Sequence, residues 1–208
     1  MFGGRLQQKC GANLSEDCQL CLEKMQDAAT RMETLIQDLL SLSRITTKTR
    51  PFTNVRLNTV VAGVLSDLEA RIANSGAQVE VAELPEVQAD TLQMRQLFQN
   101  LIGNGLKFQR PNVPPFVKIA SLTDSQNNQC TITIEDNGIG FESQYAELIF
   151  QPFQRLHGRS TYEGTGIGLS ICRKIVERHS GAIRVESTPG QGTAFYITLP
   201  LTQTTEQS

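Results

Sequence analysis

The 208-residue sequence lacks tryptophan, has only two histidines and contains no long apolar run. A membrane-spanning helix needs roughly 18 or more predominantly apolar residues in a row, and no segment approaches that length. The first residues, MFGGRLQQK, also lack the apolar core of a secretory signal peptide. We therefore expect a cytoplasmic chain without membrane insertion.

An excess of charge of either sign is also lacking. Nineteen Lys and Arg residues against twenty-one Asp and Glu residues give a formal net charge of −2 at pH 7. Proteins that bind nucleic acid or anionic lipid usually carry a basic surface excess. The balance therefore predicts no nucleic-acid partner, although a local basic pocket for a small anion remains compatible with it.

Cysteines are few and irregularly spaced: Cys10, Cys18, Cys21, Cys130 and Cys172. An odd number without a repeating pattern argues against a disulfide framework and suits a reducing compartment. Only Cys18 and Cys21 have the spacing of metal ligands, and no second pair accompanies them. We interpret both as small buried or half-buried residues of a helix rather than as zinc ligands.

Residues 1–50 have the pattern of a partial helical hairpin. Between Asp17 and Ser43, apolar residues recur every three or four positions, which predicts a long helix with a coiled-coil seam. Phe2–Lys9 resembles the end of a preceding helix, and residues 11–15 form a plausible connection. Because such a hairpin buries little by itself, we expect it to pair with a second copy through an apolar stripe. The stripe comprises Leu22, Met25, Met32, Ile36 and Leu39.

Residues 51–200 read as a separate domain that follows a linker at Thr46–Pro51. Asn58 can cap a helix that runs to about Ile72, and Asp90 can cap a second helix that runs to Phe108. A further helix is predicted from Gly166 to His179. Strands and helices in this order predict an α/β (α+β) sandwich, in which helices cover one face of a mixed sheet. The predicted strands are Gln78–Val81, Val117–Ala120, Cys130–Glu135, Ile183–Glu186 and Ala194–Leu199. Residues 201–208 are expected to be a flexible tail.

One face of the helix before Phe108 carries polar side chains. Its apolar residues form a core-packing stripe, while Asn100, Asn104 and Lys107 follow each other on the opposite face. Two amides and an ammonium group in a line suit a hydrated cation and neighbouring phosphates. An ordinary solvated helix face would show the same pattern.

A glycine-containing segment, Asp136–Gly140, follows a predicted strand. A carboxylate at a strand end can accept a hydrogen bond from an amino group such as that of adenine. Gly138 and Gly140 allow the backbone to approach a ligand closely. The alternative is an acidic hairpin turn, in which Asp-Asn-Gly is common.

A second glycine-rich segment, Gly164–Gly168, opens the next predicted helix. The backbone N–H groups of Thr165, Gly166 and Leu169 then lie near a helix start that favours phosphate. The spacing does not match a P-loop, since no Lys-Ser or Lys-Thr pair follows the last glycine. It does not match a dinucleotide fingerprint either, because no strand runs directly into it.

Between the two glycine segments lies a polar, basic loop with aromatic residues at its start. Phe150 and Phe153 can hold the base of this loop, while Arg155 and Arg159 can reach a phosphate. Such a loop would act as a lid over a bound ligand. The alternative is a surface loop with an apolar foot.

The four segments, in this order, resemble the motifs of histidine kinases, which belong to the superfamily of gyrase, the mismatch-repair ATPases and an ATP-dependent heat-shock chaperone. The variant Arg155–Arg159 is similar to that of phytochrome-like and other multi-sensor kinases. The resemblance covers about Pro51 to Pro200 and implies an Mg²⁺ ligand at Asn104, an adenine-binding carboxylate at Asp136 and an assisting threonine at Thr193. The corresponding motifs are the N box at Gln99–Phe108, the first glycine box at Asp136–Gly140, the F box at Phe150–Phe153 and the second glycine box at Gly164–Gly168.

The sequence departs from this family pattern in two places. Gly105 stands where the family usually has alanine, which costs the helix about 1 kcal/mol unless backbone packs closely there. The phosphorylated histidine of the family's first hairpin helix has no counterpart. The two histidines present are His157, in the lid segment, and His179, at a helix end where the side chain can complement the helix dipole. We interpret both as structural.

The resemblance implies an Mg-ATP-dependent protein histidine kinase of a two-component system, with Asn104 and Lys107 as its catalytic residues. Its implied partners are ATP, a second copy of the chain, a response-regulator receiver domain and an upstream sensor domain. The chain is expected to be a fragment that cannot phosphorylate itself. One alternative is a slow ATPase, although Asn100 occupies the position of the water-activating glutamate and an amide cannot act as a base. The other is a non-catalytic nucleotide-binding module.

Overall fold

A computed structural model describes residues 15–47, 51–156, 162 and 164–203. The chain divides into two compact units, Met1–Leu40 and Ser41–Ser208, and each unit is considered by itself below. In the described part of the chain, no helix combines the length and apolar character needed to cross a bilayer.

The described part of the first unit belongs to one long helix, α1, which spans Glu16–Thr47 and continues into the second unit. Four of the five residues of the predicted stripe are exposed along it, with Met25 69% and Met32 59% accessible, while Leu22 is half-buried. Cys18 and Cys21 are also exposed, so the expectation that they are buried or half-buried was wrong. The helix predicted at Phe2–Lys9 lies outside the described residues.

The described residues of the second unit form seven strands, four shorter helices and two 3-10 turns. The helices are α2 (Leu57–Asp67), α3 (Glu69–Ser75), α4 (Thr91–Lys107) and α5 (Gly168–Arg178). The 3-10 turns are Ser143–Tyr145 and Leu148–Phe150. The strands are β1 (Thr53–Arg56), β2 (Gln78–Val81), β3 (Glu86–Ala89), β4 (Phe116–Asp124), β5 (Gln129–Asp136), β6 (Ala182–Thr188) and β7 (Gly192–Pro200).

The main sheet has the strand order β2-β4-β5-β7-β6. β2 runs parallel to β4, and the other pairs are antiparallel, so the sheet is mixed. α4 and α5 pack on one face of it and on each other. This arrangement confirms the predicted sandwich.

The core lies between the helices and the covered face of the sheet. Alternate residues of β5 and β7 point into it, because successive side chains of a strand lie on opposite faces. α4 contributes the apolar stripe that the sequence predicted, including Met94, Leu97, Phe98, Leu101 and Ile102, each at most 1% exposed. The opposite face of α4 is thereby directed away from the core, which leaves its polar residues available for a site.

The prediction for the segment after Phe52 was wrong in two respects. Asn58 does not cap the helix: α2 begins at Leu57 without a side-chain cap. The Asn58 amide instead donates to Ala82 O at 3.1 Å, and its oxygen accepts from Leu84 N at 2.8 Å. The predicted single helix also breaks at Leu68 into α2 and α3.

Two further elements were not predicted. β1 and β3 form a separate antiparallel pair in which Val55 lies opposite Val87. The prediction that the tail is flexible from residue 201 was also wrong for its first residues, since Thr202 and Gln203 form hydrogen bonds to Asn128 and Gln88. Four-residue strands and polar chain ends carry weak local signals, and these segments are fixed by partners distant in sequence.

Candidate functional site

Asp136 ends β5 and lies at the edge of the covered face of the sheet. The backbone N–H of Gly138 donates to its carboxylate at 2.8 Å, and the N–H of Thr193 also donates to it. Removal from water nevertheless dominates and raises the pKa of Asp136 to about 6. A carboxylate that is ionised near neutral pH and partly desolvated is a strong hydrogen-bond acceptor for a ligand.

Close backbone packing requires glycine in the first glycine segment. A Cβ at Gly138 would lie 2.4 Å from Phe108 O, which is shorter than any normal contact. Gly140 has a φ of 60°, and a Cβ there would lie 2.0 Å from Thr188 O. The segment therefore lies between the end of α4 and the β6–β7 turn, which fixes the Asp136 carboxylate in position.

Three polar side chains form a row across adjacent strands. Asp136 on β5 lies opposite Thr193 on β7, and Thr193 lies opposite Ser187 on β6. Residues directly opposite each other share a face of the sheet. The hydroxyl groups of Ser187 and Thr193 are 3.0 Å apart. Ser187 was not predicted as a site residue, because only the strand register shows that it shares a face with Asp136.

The polar face of α4 meets the second glycine segment. The Asn100 amide donates to Gly168 O at 3.2 Å. Lys107 Nζ lies 3.0 Å from the position that a Cβ would occupy at Gly164 and 4.1 Å from the centre of the Phe108 ring. Asn104 lies between these residues along the helix and is half-buried. The structure thus brings together the two segments that the sequence placed in one site.

The second glycine segment turns sharply before α5. Gly164 has a φ of 132° and Gly166 a φ of 77°, which favour glycine at both positions. The Thr165 hydroxyl accepts the Ile167 N–H at 3.4 Å. The helix begins at Gly168 rather than at the predicted Gly166, and the next residue, Leu169, is half-buried. The first N–H groups of α5 therefore lie at the end of this turn.

The packing of the two phenylalanines at the start of the lid segment differs from the prediction at Phe153. Phe150 is buried and packs edge-on against Phe195, with ring centres 6.4 Å apart. Phe153 is 60% exposed, so it does not hold the base of the loop. Its φ of 67° and the hydrogen bond from its N–H to Gly166 O tie the backbone, rather than the ring, to the second glycine segment.

The Arg155 guanidinium makes contacts that the sequence did not predict. It donates to the carbonyl oxygens of Gly164 and Tyr162, and so joins two parts of the loop. The Tyr162 ring in turn lies 5.0 Å from the Phe108 ring at the end of α4. Arg159 and His157 lie outside the described residues.

A backbone-binding arginine and an asparagine support the first glycine segment. Arg110 donates to Asn137 O at 2.8 Å and to Gly190 O at 3.0 Å. The Asn137 side chain accepts from Phe116 N at 2.8 Å, which holds the residue after Asp136 against β4. These residues were also missed, because their partners are main-chain groups far away in sequence.

His179 is 1% exposed and structural, as predicted. Its Nε2 accepts the N–H of Asp90 at 3.1 Å, so its Nδ1 carries the proton and donates to Ile175 O at 2.7 Å. Burial lowers the pKa of His179 below its ordinary value of 6.5. The neutral imidazole thus links the end of α5 to the start of α4, and its Nδ1–H binds a carbonyl oxygen of the last turn of α5, which agrees with the predicted role at the helix end.

The fold and these motifs define an ATP-binding domain, and comparison with known proteins identifies its family. Residues 89–203 match the family described as histidine kinase-, DNA gyrase B-, and HSP90-like ATPase. The chain belongs to this family, and its domain is of the histidine kinase type.

The relatives support the same assignment. The chain is 41% identical over 196 residues to phytochrome-like protein Cph1 of Synechocystis sp., a match that covers 94% of this chain and 26% of Cph1. The nucleotide-free catalytic domain of histidine kinase ThkA is 28% identical in sequence and superposes with a TM-score of 0.63. This match covers 74% of this chain and 97% of that domain. Full-length ShkA, solved in complex with AMPPNP, shares the fold at 20% identity and a TM-score of 0.75, over 98% of this chain and 42% of ShkA. The chain therefore spans about a quarter of the length of Cph1.

Proposed function

We propose that this chain binds Mg-ATP and transfers the γ-phosphoryl group to a histidine of another segment. The observation that carries the proposal is the Asp136 carboxylate, held by the N–H groups of Gly138 and Thr193 next to Gly105 of α4. In this proposal Asp136 accepts a hydrogen bond from the adenine amino group, assisted by Thr193. Gly138 and Gly140 let the base approach the backbone.

The other predicted residues would bind the phosphates. Lys107 supplies a positive charge, and the turn at Gly164–Leu169 supplies N–H groups at the start of α5. Arg155 binds carbonyl groups of the loop in this structure and would bind phosphate oxygens instead when nucleotide is present. Arg159 and Phe153 belong to the same proposed lid. Asn100 would orient the turn through Gly168.

Magnesium fits the donor that α4 offers. Mg²⁺ prefers oxygen ligands and commonly retains water and nucleotide phosphates in its coordination shell. Asn104 offers an amide oxygen one helical turn from both Asn100 and Lys107, so it would hold the ion against the phosphates. The ion would neutralise phosphate charge.

The transfer step requires no nucleophile from this domain. An imidazole nitrogen of the acceptor histidine would form the new N–P bond as the bond between the γ-phosphorus and its bridging oxygen breaks, leaving ADP. The domain contributes positioning and charge neutralisation. Asn100 cannot act as a general base, which favours transfer to histidine over activation of water.

The partners are also part of the proposal. The exposed side chains on α1 would form a seam with a second copy, since Ile36 is 57% and Leu39 is 53% exposed. Phosphate would pass onward to a response-regulator receiver domain, and an upstream sensor domain would control the transfer. We place this system in the cytoplasm.

Calorimetric titration of the 208-residue chain with ADP and Mg²⁺ tests the binding site. We expect Asp136→Asn to weaken binding at least tenfold, because a lost charged hydrogen bond costs about 1.5–3 kcal/mol. Arg56→Gln is the matched control, since the Arg56 side chain is 82% exposed and forms an ion pair with Glu86 on the β1–β3 sheet. Equal affinities of wild type and Asp136→Asn would refute the assignment.

Labelled Mg-ATP tests the reaction. The chain alone should acquire no phosphohistidine, whereas an added helical hairpin that carries an acceptor histidine should become labelled. Asn104→Ala should abolish this transfer. Rapid release of free phosphate without labelling of the hairpin would favour the ATPase alternative, and self-labelling lost in His157→Gln would make that residue the acceptor.

A further inference from the structure

Ser187 makes three hydrogen-bond contacts through a single hydroxyl group. The Phe141 N–H donates to it at 2.9 Å, and it donates to Gly192 O at 3.0 Å. The third contact is with the Thr193 hydroxyl, also at 3.0 Å. An N–H group can only donate, and a carbonyl oxygen can only accept.

The direction of the third hydrogen bond follows from proton counting. A serine hydroxyl has one proton, and that of Ser187 is used by Gly192 O. Thr193 must therefore be the donor in its contact with Ser187. Once its own proton is directed at Ser187, the Thr193 oxygen can offer a ligand only its lone pairs.

The acceptor character of Thr193 matches that of its neighbour. Asp136, directly opposite on β5, presents a carboxylate, which when ionised can only accept. Thr193 is 8% exposed, so water does not readily replace a missing hydrogen bond there. The row thus presents two acceptors side by side at the place where the proposed function puts the base.

We infer that Ser187 is a specificity-determining residue, because it holds the Thr193 hydroxyl as a hydrogen-bond acceptor. The site then favours bases that carry an amino group over bases that carry a carbonyl group at the same position. The inference rests on the proposed nucleotide site. Ser187 itself is a positioning residue, since it acts on the base through Thr193. Adenine has an amino group at position 6, whereas hypoxanthine has a carbonyl oxygen there.

The test compares ADP with IDP, in which a carbonyl oxygen replaces the amino group at position 6 and the neighbouring ring nitrogen N1 carries a proton. Dissociation constants of both, with Mg²⁺, are measured by calorimetry for the wild type, Ser187→Ala and Ser187→Thr. Wild type should prefer ADP strongly. Ser187→Ala frees the Thr193 hydroxyl to rotate and donate. The preference of this variant for ADP over IDP should therefore be about tenfold smaller than that of wild type, which is the effect of one hydrogen bond. Ser187→Thr retains the hydroxyl and should retain the preference.

Controls separate specificity from stability. A purely structural role of Ser187 would weaken ADP and IDP equally and leave the ratio of their dissociation constants unchanged, which would overturn the inference. Thr193→Val should also lower the ratio, and it provides the test if Ser187→Ala fails to fold. Thr198→Val is the matched control, because it removes a hydroxyl pair with Thr131 from the other face of β7 and should leave the ratio unchanged.

The two proposals fail in different ways. If wild type binds neither nucleotide, the proposed function fails and takes this inference with it. If wild type binds ADP and Asp136→Asn does not, while Ser187→Ala and Thr193→Val keep the wild-type ratio, only the inference about Ser187 fails.

Discussion

Gly138 lies against the carbonyl oxygen of Phe108, the residue that follows α4. The next N–H, that of Ile139, donates to the same oxygen at 2.9 Å. This contact joins the first glycine segment to the helix that carries Asn104 and Lys107. Any side chain at Gly138 would have to separate the two.

Gly138→Ala is therefore expected to disrupt the site. The new Cβ would lie 2.4 Å from Phe108 O and 2.7 Å from Asp136 Oδ1, so the segment must move. We expect a loss of about 1–3 kcal/mol of unfolding free energy and nucleotide affinity lowered by more than tenfold. Urea unfolding and nucleotide titration measure the two effects. A variant with wild-type affinity would show that the segment position is not critical.

Two glycines in α4 offer a matched comparison. A Cβ at Gly103 would meet no atom within 4 Å, whereas one at Gly105 would lie 2.9 Å from Val117 Cγ2 and 3.2 Å from Asp136 Cβ. Gly103→Ala should therefore stabilise the protein by about 0.5–1 kcal/mol through helix propensity. Gly105→Ala has the same propensity gain but must displace core atoms, so it should stabilise less or destabilise. If urea unfolding shows the same increase in unfolding free energy for both variants, the close packing at Gly105 is contradicted.

Asp136 should make nucleotide binding dependent on pH. Its folded-state pKa of about 6 lies above the ordinary value of 3.8 because the carboxylate is removed from water. As pH falls through about 6, the carboxylate takes up a proton and loses acceptor capacity. ADP affinity should therefore decrease between pH 7.5 and 5.5 in wild type, while Asp136→Asn should bind weakly across this range. Calorimetry at several pH values provides the measurement.

The same shift affects stability in the opposite sense. An acid with a raised folded-state pKa favours the protonated folded protein, so its contribution to stability falls as pH rises from about 4 to about 6. Asp136→Asn should therefore gain stability relative to wild type, without nucleotide, as pH rises through this window. A stability difference that does not vary with pH would show that Asp136 titrates normally.

His179 should contribute stability that disappears in acid. Its folded-state pKa is lowered, so protonation below its ordinary value of 6.5 favours the unfolded chain. Stability is then fully present above that value and declines as pH falls below it. His179→Gln should cost about 1–3 kcal/mol at neutral pH, because the buried Asp90 N–H loses its well-placed acceptor. The difference from wild type should shrink in acid, and a difference that does not vary with pH would contradict the lowered pKa of His179.

The motifs themselves could be predicted from the sequence, because they are local. The amphipathic period of α4 places its apolar residues in the core and its amides on the other face. The glycine segments follow a strand or precede a helix within a few residues. Neighbours along the chain determine such features, so the order of the segments was enough to indicate the fold and the family.

Contacts between distant segments could not be predicted in this way. Phe153 has the aromatic character of a loop anchor, yet it is exposed, and Phe150 is the ring that packs against Phe195. Asn58 looks like a helix cap, but two backbone groups beyond β2 bind its side chain. Local propensity was overruled in each case by a partner that the fold supplies.

The sequence by itself determined which segments carry chemistry: an amide-bearing helix face, a carboxylate at a strand end and two glycine turns. Only the tertiary structure decided how they act. The register of β5, β7 and β6 aligns Asp136, Thr193 and Ser187 on one face, and burial there raises the pKa of the carboxyl group. Strand pairing and desolvation are long-range effects, since they depend on residues that are separated by up to 57 positions between Asp136 and Thr193.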